Sequence, residues 1–346
     1  MLKRALNLVV QGENLTQTLA RETMEVIMRG EASGAQVGGL LVALRMKGEN
    51  HREITGFAQA MRAQAKPLGL DGEFADTCGT GGDCAGTFNI STTAAFVVAG
   101  CGLPVAKHGN RAFSSKSGSA DLLSALGVKI DLLPHQVAAC INKTGIGFLY
   151  APTFHGAMLH AAGPRRDLGM RTVFNLLGPL TNPAAPAFQA VGVWERDLVS
   201  VVAQVAQELG ARGAMVFHGG GGLDELSLSG ENLVAELGAG QLKTYFLEAR
   251  DVGLLPAPLS ALAGGTPQEN AAITTRILEG ERGPKRDVVL LNAAALLKAA
   301  GVAKDWKEGI AMAGEAIDNG NAMARLGALR KFSQEVGANA ISNCKS

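Results

Sequence analysis

From residue 74 onward, short β-type runs alternate with helical stretches, and glycine-rich joints separate the two. Residues 103–106 and 214–217 have the apolar character of strands, whereas 92–100 and 198–209 have the apolar spacing of helices. Because strand, loop and helix repeated in this order favour a parallel sheet covered by helices, we predict an α/β domain with a central, largely parallel sheet. In such domains ligands sit on the loops at the carboxyl ends of the strands.

The first 70 residues carry only helical patterns. Apolar side chains recur at helical spacing over 16–29 and 37–47, and a glycine directly follows each stretch. Asn50 with Glu53 three residues later forms a capping box, which predicts a third helix ending near residue 65. We therefore predict a small all-helical domain over residues 1–70 and a larger α/β domain over 71–346.

Composition limits the partners and the compartment. The formal net charge is +1, with two Trp and two Tyr, so a basic face interleaved with aromatics is absent and we expect no nucleic-acid partner. The longest apolar stretch, 94–106, is shorter than the ~20 residues of a membrane span, so we expect no membrane association. Five scattered cysteines without a C-x-x-C pair predict reduced thiols and a soluble, cytoplasmic protein.

A glycine-rich segment over residues 76–92 carries the strongest chemical signal. Gly79, Gly81 and Gly82 let the backbone approach a bulky anion closely. Polar residues then stand where a helix begins, and free N–H groups at such a position favour phosphate. These polar residues are Thr87, Asn89, Ser91 and Thr92. The alternative is a tight strand-to-helix turn whose polar residues only cap the helix.

The next segment is locally basic. Residues 84–120 contain no Asp or Glu but three cations, which predicts a pocket for a multiply charged phosphate ester. The cations are Lys107, Arg111 and Lys116. A solvated basic loop is the alternative. We expect Ser117 or Ser119 to cap the helix that follows.

Two further groups of charges stand out. Asp224 and Glu225 follow four glycines and a predicted strand, a position that suits Mg²⁺, which prefers oxygen ligands and substrate phosphates. An exposed acidic pair is the alternative. Arg165, Arg166 and Arg171 form another basic group, suited to a substrate carboxylate or simply to the surface of a helix.

Together these segments resemble the anthranilate phosphoribosyltransferases, in one register along the whole chain. The motifs are GTGGD at 79–83, TFNIST at 87–92, AKHGNRAFSSKSGSADLLSALGV at 106–128, RTVFNLLGPLTNP at 171–183 and GLDELSL at 222–228. The resemblance implies Mg²⁺-dependent transfer of phosphoribosyl from 5-phosphoribosyl 1-pyrophosphate (PRPP) to the amine of anthranilate, in tryptophan biosynthesis. It also implies a fold like that of nucleoside phosphorylases and a homodimer, with the helical domain and a returning segment near 165–185 at the interface.

The resemblance further implies roles for individual residues. The PRPP-binding positions would be Gly79, Gly82, Asp83, Thr87, Asn89, Ile90, Ser91, Thr92, Lys107, His108, Gly109, Asn110, Arg111, Ala112, Phe113, Ser114, Ser115 and Ser119. The anthranilate-binding positions would be Gly79, Asn110 and Arg165. The catalytic positions would be Lys107 and His108. Two Mg²⁺ ions are expected, at Ser91, Asp224 and Glu225.

Two alternatives remain open at this point. Pyrimidine nucleoside phosphorylases resemble this fold and share a serine-rich K-x-G-N stretch, but they need neither Mg²⁺ nor a carboxylate pair. A non-catalytic relative could bind nucleotides or nucleic acid through the same basic loops. The chain also departs from the family pattern at Gly156, Leu159 and Gly163, beside the implied anthranilate side.

Overall fold

The computed structural model describes residues 1–83, 85–112 and 116–343, with side chains as far as residue 338. The helices of this part of the chain are α1 (Leu2–Val10), α2 (Gln17–Met28), α3 (Gly34–Lys47), α4 (His51–Gln64), α5 (Ile90–Gly100), α6 (Ser119–Ala125), α7 (Pro134–Thr144), α8 (Ala151–Phe154), α9 (Leu159–Leu168), α10 (Val173–Leu180), α11 (Leu198–Glu208), α12 (Pro267–Leu278), α13 (Pro284–Ala299), α14 (Trp306–Asp318) and α15 (Asn321–Asn343). The strands are β1 (Ala75–Gly79), β2 (Val105–Gly109), β3 (Ile146–Tyr150), β4 (Phe188–Gly192), β5 (Gly213–His218), β6 (Asn232–Gly238) and β7 (Gln241–Leu247).

The described strands form one seven-stranded sheet in the order β3-β2-β1-β4-β5-β6-β7. Strands β1 to β5 run parallel, which confirms the predicted α/β class with a largely parallel sheet. The sequence patterns did not predict the antiparallel edge of β6 and β7. Ala239 and Gly240 join these two strands, both with positive φ, as a two-residue hairpin turn requires.

The order of the strands reverses at β1. The chain moves from β1 through β2 to β3 on one side, and β4 then pairs with the other side of β1. Gly79 and Gly192, the last residues of β1 and β4, are register partners, and the N–H of Thr80 donates to the carbonyl of Gly192 across 2.9 Å. A crevice opens at the carboxyl ends of strands where their order reverses, so this is where a ligand site is expected.

Helices α1 to α4 pack with α9 and α10 around one apolar core, which continues onto β4 and α11. The predicted capping box at the start of α4 is confirmed: Asn50 accepts from Glu53 N, and Glu53 accepts from Asn50 N, each across 3.0 Å. Glu53 is fully buried and also accepts from Leu15 N and Lys47 Nζ, each across 2.9 Å. One carboxylate therefore ties the end of α3 and the start of α2 to α4.

Residues 267–343 form the four helices α12 to α15 and contain no strand. Helices α13, α14 and α15 pack against α5, the helix that follows the predicted phosphate-binding loop. Among the described residues, no helix combines the length and the apolar character that crossing a bilayer needs.

Gly56 marks the closest approach of α2 and α4. A Cβ at this position would overlap the carbonyl oxygen of Gln17 and would lie 2.9 Å from Ala20 Cβ and Arg21 N. Because the backbone of α2 cannot retreat without opening the core, we expect Gly56→Ala to lower the free energy of unfolding by roughly 1–3 kcal/mol in urea titrations. Gly38→Ala in α3, where a Cβ meets no atom within 4 Å, is the matched control. Equal unfolding midpoints for the two variants would contradict this packing.

Candidate active site

The carboxyl ends of β1 and β4 carry the loop that follows β5. A Cβ on Gly79 would overlap the carboxylate of Asp224, and a Cβ on Gly192 would overlap its carbonyl oxygen. Glycine at both strand ends therefore lets the loop lie directly on the sheet. The N–H of Gly81 donates to Asp224 Oδ2 across 2.5 Å. The predicted glycine loop and the predicted acidic pair consequently form one site.

The acidic pair also bonds to the start of α5. Glu225 Oε1 accepts from the backbone N–H of Ser91 across 3.1 Å. Asp224 and Glu225 are each 8% exposed, so the alternative of an exposed acidic pair is wrong. Burial raises the pKa of both carboxyls, and the charges of Asp83 and Glu225 raise the pKa of Asp224 further.

The donor set at this point suits a hard cation. Two buried carboxylates lie beside Asp83, whose Oδ2 is buried and has no hydrogen-bond partner among the described residues. Within that same part of the chain, no three or more His, Cys, Asp or Glu side chains form a metal-binding group. Mg²⁺ is commonly held by one or two carboxylates together with water and substrate phosphates, so these residues fit it.

Asn89, at the start of α5, connects α5 to the segment before α6 and to α12. Its Nδ2 donates to the carbonyl of Ser117 across 3.0 Å, and its Oδ1 accepts from Asn270 Nδ2 across 3.0 Å and from Ser117 Oγ across 3.1 Å. Its side chain does not cap α5, although Asn89 is the N-cap residue. The alternative in which these polar residues only cap the helix therefore fails at Asn89.

The remaining predicted residues of this segment have separate neighbours. Thr87 pairs with Ala263 in an isolated bridge, while Ile90 and Thr92 are buried in the first turn of α5. Gly82 lies against the side chain of Arg171. Cys84 lies outside the described residues.

The basic stretch begins inside the sheet, which corrects the sequence interpretation. Lys107, His108 and Gly109 belong to β2, so the loop starts only at Asn110. Lys107 is 3% exposed, and its Nζ donates to the carbonyl of Thr77 across 2.6 Å. Its charge lowers the pKa of Glu225, so it acts on the acidic pair from beneath the crevice.

The three predicted cations do not face one pocket. Arg111 is exposed and pairs with Asp121 across 2.8 Å, and Lys116 is exposed. The stretch 84–120, which contains no Asp or Glu, ends directly before Asp121. The charge count over 84–120 therefore omitted the residue that pairs with Arg111. Asp121 also accepts from the N–H groups of Ala112 and Gly118 and thereby closes the base of the loop. Phe113, Ser114 and Ser115 lie outside the described residues.

The start of α6 also differs from the sequence interpretation. Gly118 is the N-cap residue, and Asp121 provides the reciprocal bond, so neither serine caps the helix. Ser119 is the first residue of α6 and donates from Oγ to the carbonyl of Asn110 across 3.3 Å. A Cβ on Gly109 would overlap Ser119 Oγ, so glycine is needed where β2 meets α6.

His108 is a buried, neutral imidazole. Burial and the neighbouring His155 lower the pKa of His108 to about 3. Its Nδ1 lies 3.0 Å from the carbonyl of Gly178, and the neutral ring therefore donates from Nδ1. The Nε2 atoms of His108 and His155 are buried without hydrogen-bond partners in the described structure, and the two ring centroids are 5.2 Å apart. His108 thus presents a lone pair at Nε2 rather than a proton.

These histidines predict acid sensitivity. Burial lowers the pKa of His155 from 6.5 to about 4, so the unfolded chain binds this proton before the folded chain does. The stability that His155 contributes above pH 6.5 should fall by about 1.4 kcal/mol per pH unit down to about pH 4. His155→Gln should reduce this slope in urea titrations between pH 7 and 5. His135→Gln, at an exposed position, is the control. Equal slopes would show that His155 titrates normally.

The structure does not join the three positions implied for anthranilate. Arg165 lies on α9 with its guanidinium 5.0 Å from the ring centroid of Phe174, and burial lowers its pKa. No ion pair or hydrogen bond in the described part of the chain connects Arg165 to Gly79 or Asn110. Arg165 is therefore a half-buried cation available to a carboxylate.

Several residues at the site escaped the sequence interpretation. Thr80 Oγ1 is buried without a hydrogen-bond partner in the described structure, inside the glycine loop. Asn182 donates to Asp76 Oδ2 across 2.8 Å and to the carbonyl of Ala106 across 2.7 Å. Burial raises the pKa of Asp76 to about 6. Two features of the sequence could have pointed to these residues. Thr80 stands between two glycines, and Asn182 directly precedes a proline.

Comparisons with known proteins agree on one family. A family model described as the helical bundle domain of a glycosyl transferase family matches residues 3–65, and one described as its a/b domain matches 71–323. The chain is 54% identical over 330 residues to the anthranilate phosphoribosyltransferase of Moorella thermoacetica, covering 95% of this chain and 97% of that protein. It is 52% identical over 333 residues to that of Pelotomaculum thermopropionicum, covering 96% of each.

Solved structures give the same result. The crystal structure of anthranilate phosphoribosyltransferase from Thermus thermophilus superposes with a TM-score of 0.91 at 47% identity, covering 95% of this chain and 99% of that one. The enzyme from Saccharomyces cerevisiae in complex with PRPP and Mg superposes with a TM-score of 0.87 at 30% identity, covering 96% and 98%.

Proposed function

This chain belongs to the anthranilate phosphoribosyltransferases, and on that basis we propose that it transfers the phosphoribosyl group of PRPP to the amine of anthranilate. The products are N-(5-phosphoribosyl)anthranilate and pyrophosphate. The observation that carries the proposal is the meeting of the glycine loop, the start of α5 and the acidic pair, through the Gly81–Asp224 and Ser91–Glu225 hydrogen bonds. Buried carboxylates without a metal would repel a phosphate, which disfavours the nucleoside phosphorylase alternative.

The chemistry needs little from a general base. The arylamine of anthranilate is neutral near pH 7, so its nitrogen attacks C1 of the ribose while the bond from C1 to the pyrophosphate oxygen breaks. The nitrogen, positively charged after it has bonded to C1, then gives one proton to water. The main barrier is the positive charge that develops on the sugar and the negative charge on the leaving group. The protein therefore has to align two substrates and stabilise a diphosphate.

We propose that the diphosphate of PRPP binds over the loop 79–83 and the start of α5. Ser91, Asp224 and Glu225 would hold two Mg²⁺ ions, since their oxygens are the hard donors of the site. Bound Mg²⁺ supplies positive charge that offsets the charge of the departing diphosphate. Lys107 adds a buried cation beneath the same carboxylates. The yeast relative was solved in complex with PRPP and Mg, which supports the use of PRPP and Mg²⁺ by this chain.

On the acceptor side, we expect Arg165 to bind the carboxylate of anthranilate. Arg165→Ala should raise the KM for anthranilate by roughly tenfold or more, because a charge-assisted hydrogen bond is lost. Initial rates at varied anthranilate and varied PRPP test this directly. Arg166→Ala is the matched control, since that side chain is 77% exposed. A rise confined to the KM for PRPP would contradict the assignment.

We further propose a two-domain division at 1–70 and 71–346, a cytoplasmic location and a homodimer formed through the helical domain. Helices α1, α3 and α9 pack together and carry exposed apolar side chains at Val10, Met46 and Leu159, which supports a covered face there. Sedimentation equilibrium distinguishes a 35.7 kDa monomer from a species of twice that mass.

The function itself is tested by following anthranilate fluorescence with purified protein, PRPP and Mg²⁺. We expect the fluorescence to decay only when both PRPP and Mg²⁺ are present. Persistent fluorescence, together with phosphate-dependent cleavage of thymidine or uridine without Mg²⁺, would contradict the proposed function and identify a nucleoside phosphorylase.

A further inference from the structure

Arg171 is a half-buried cation in contact with the glycine loop. Its Nε lies only 2.9 Å from the position that a Cβ on Gly82 would take, and Gly82 has a φ of +82°. Its guanidinium also lies 5.4 Å from the ring centroid of Trp194, which is 6% exposed. Across residues 1–83, 85–112 and 116–338, no carboxylate oxygen lies within the 4.0 Å of an ion pair with Arg171.

The backbone of Arg171 is fixed from the helical side of the crevice. Gly169 ends α9 with a φ of +60°, and the N–H of Thr172 donates to Asn175 Oδ1 across 3.0 Å at the start of α10. Val173 and Phe174 are then buried in the core shared with α1 to α4. A residue anchored in the helical core thus reaches the loop that follows β1.

Glu195 senses the charge of Arg171 but is already paired with another cation. Glu195 pairs with Arg45 across 2.8 Å, and Arg45 is the main cause of its lowered pKa, with only a small contribution from Arg171. The guanidinium of Arg171 therefore contacts an aromatic face and a glycine backbone, two neighbours that carry no negative charge. Stacking on a ring occupies the face of a guanidinium and leaves its N–H edge free to donate.

Building on the proposed function, we propose that Arg171 is a donor-binding residue that contacts the diphosphate of PRPP from the helical side. The loop 79–83 beneath it is the surface on which that diphosphate would lie. A planar guanidinium binds two phosphate oxygens in parallel, which a lysine ammonium cannot do. PRPP bound there would contact both the helical core and the sheet.

Steady-state kinetics separate this role from a structural one. In Arg171→Met, the KM for PRPP should rise about 10- to 100-fold, whereas the KM for anthranilate should stay within about twofold of wild type. Arg171→Lys should fall between wild type and Arg171→Met. Arg166→Met removes an exposed positive charge from the neighbouring α9 and should change neither constant. An unchanged KM for PRPP, or a rise confined to the KM for anthranilate, overturns the proposal.

Trp194 provides a direct binding signal. The chain has two tryptophans, so Trp306→Phe leaves Trp194 as the single indole. Titration with Mg²⁺-pyrophosphate, without anthranilate, should change the emission of Trp194 with saturation. Adding Arg171→Met to Trp306→Phe should weaken pyrophosphate binding about tenfold or more. If the methionine variant does not fold, the same titration is done with Arg171→Lys. Equal affinity with and without Arg171 overturns the proposal.

Failure of the proposed function has a different signature. In that case the wild-type protein neither binds Mg²⁺-pyrophosphate nor consumes anthranilate. If the wild-type protein binds Mg²⁺-pyrophosphate and consumes anthranilate, and Arg171→Met binds pyrophosphate equally well, then only the role proposed for Arg171 is wrong.

Discussion

Asp224→Asn should reduce Mg²⁺-dependent turnover at least about a hundredfold, the scale on which loss of a preorganised charge acts in active sites. The amide keeps the shape of the side chain and can still accept from the N–H of Gly81, but it brings no negative charge to a cation. Because the change also removes a buried charge beside Asp83 and Glu225, the thermal midpoint should stay equal or rise. Rates of anthranilate consumption over a range of Mg²⁺ concentrations measure the effect.

Asp305→Asn is the matched control for this result. Asp305 caps α14 by accepting from Glu308 N across 2.9 Å, and asparagine caps a helix equally well. Full turnover in Asp305→Asn and a hundredfold loss in Asp224→Asn would assign the effect to the site. Turnover near the wild-type level in both variants would show that the reaction does not need the charge of Asp224.

Gly79→Ala should reduce activity on a similar scale by a purely steric route. Its Cβ would overlap the carboxylate of Asp224, which must then swing away from the end of β1. A displacement of about 1 Å at a reacting centre can cost about a hundredfold in rate. The measurement is the rate of anthranilate consumption together with the Mg²⁺ concentration that gives half-maximal rate, which we expect to increase.

Gly327→Ala in α15 is the control, because a Cβ there meets no atom within 4 Å. It should leave both rate and Mg²⁺ dependence unchanged. A fully active Gly79→Ala would mean that the loop after β5 does not rest on the end of β1.

The helices were readable from the sequence because their signals are local. The 92–100 and 198–209 patterns lie within two residues of α5 and α11 at both ends, and Asn50 with Glu53 sets the start of α4. Such caps involve residues only three positions apart, so a short stretch of sequence is sufficient to predict them. The order of the strands depends instead on contacts between distant segments, which is why the antiparallel edge of β6 and β7 was not predicted.

At the site, the sequence indicates which residue types take part, but not whether they are buried or which groups they contact. Lys107 and His108 are polar and directly follow the apolar run 103–106, so the predicted strand ends before them. In the structure they are buried in β2, because the carbonyls of Thr77 and Gly178 satisfy their side chains. Gly79 was assigned to substrate binding, whereas its contact with Asp224 gives a second reason for glycine there. These pairings join residues far apart in the chain, and no sequence window contains both partners.

Calorimetric titration of PRPP into the wild-type protein, with Mg²⁺ and with a chelator, tests the central claim most directly. The claim is that the loop 79–83 and the pair Asp224 and Glu225 hold one polyanion through a divalent cation. We predict PRPP binding at least about tenfold tighter with Mg²⁺ than with chelator, and no such difference in Asp224→Asn. Equal PRPP affinity in the two conditions for the wild-type protein would contradict the account.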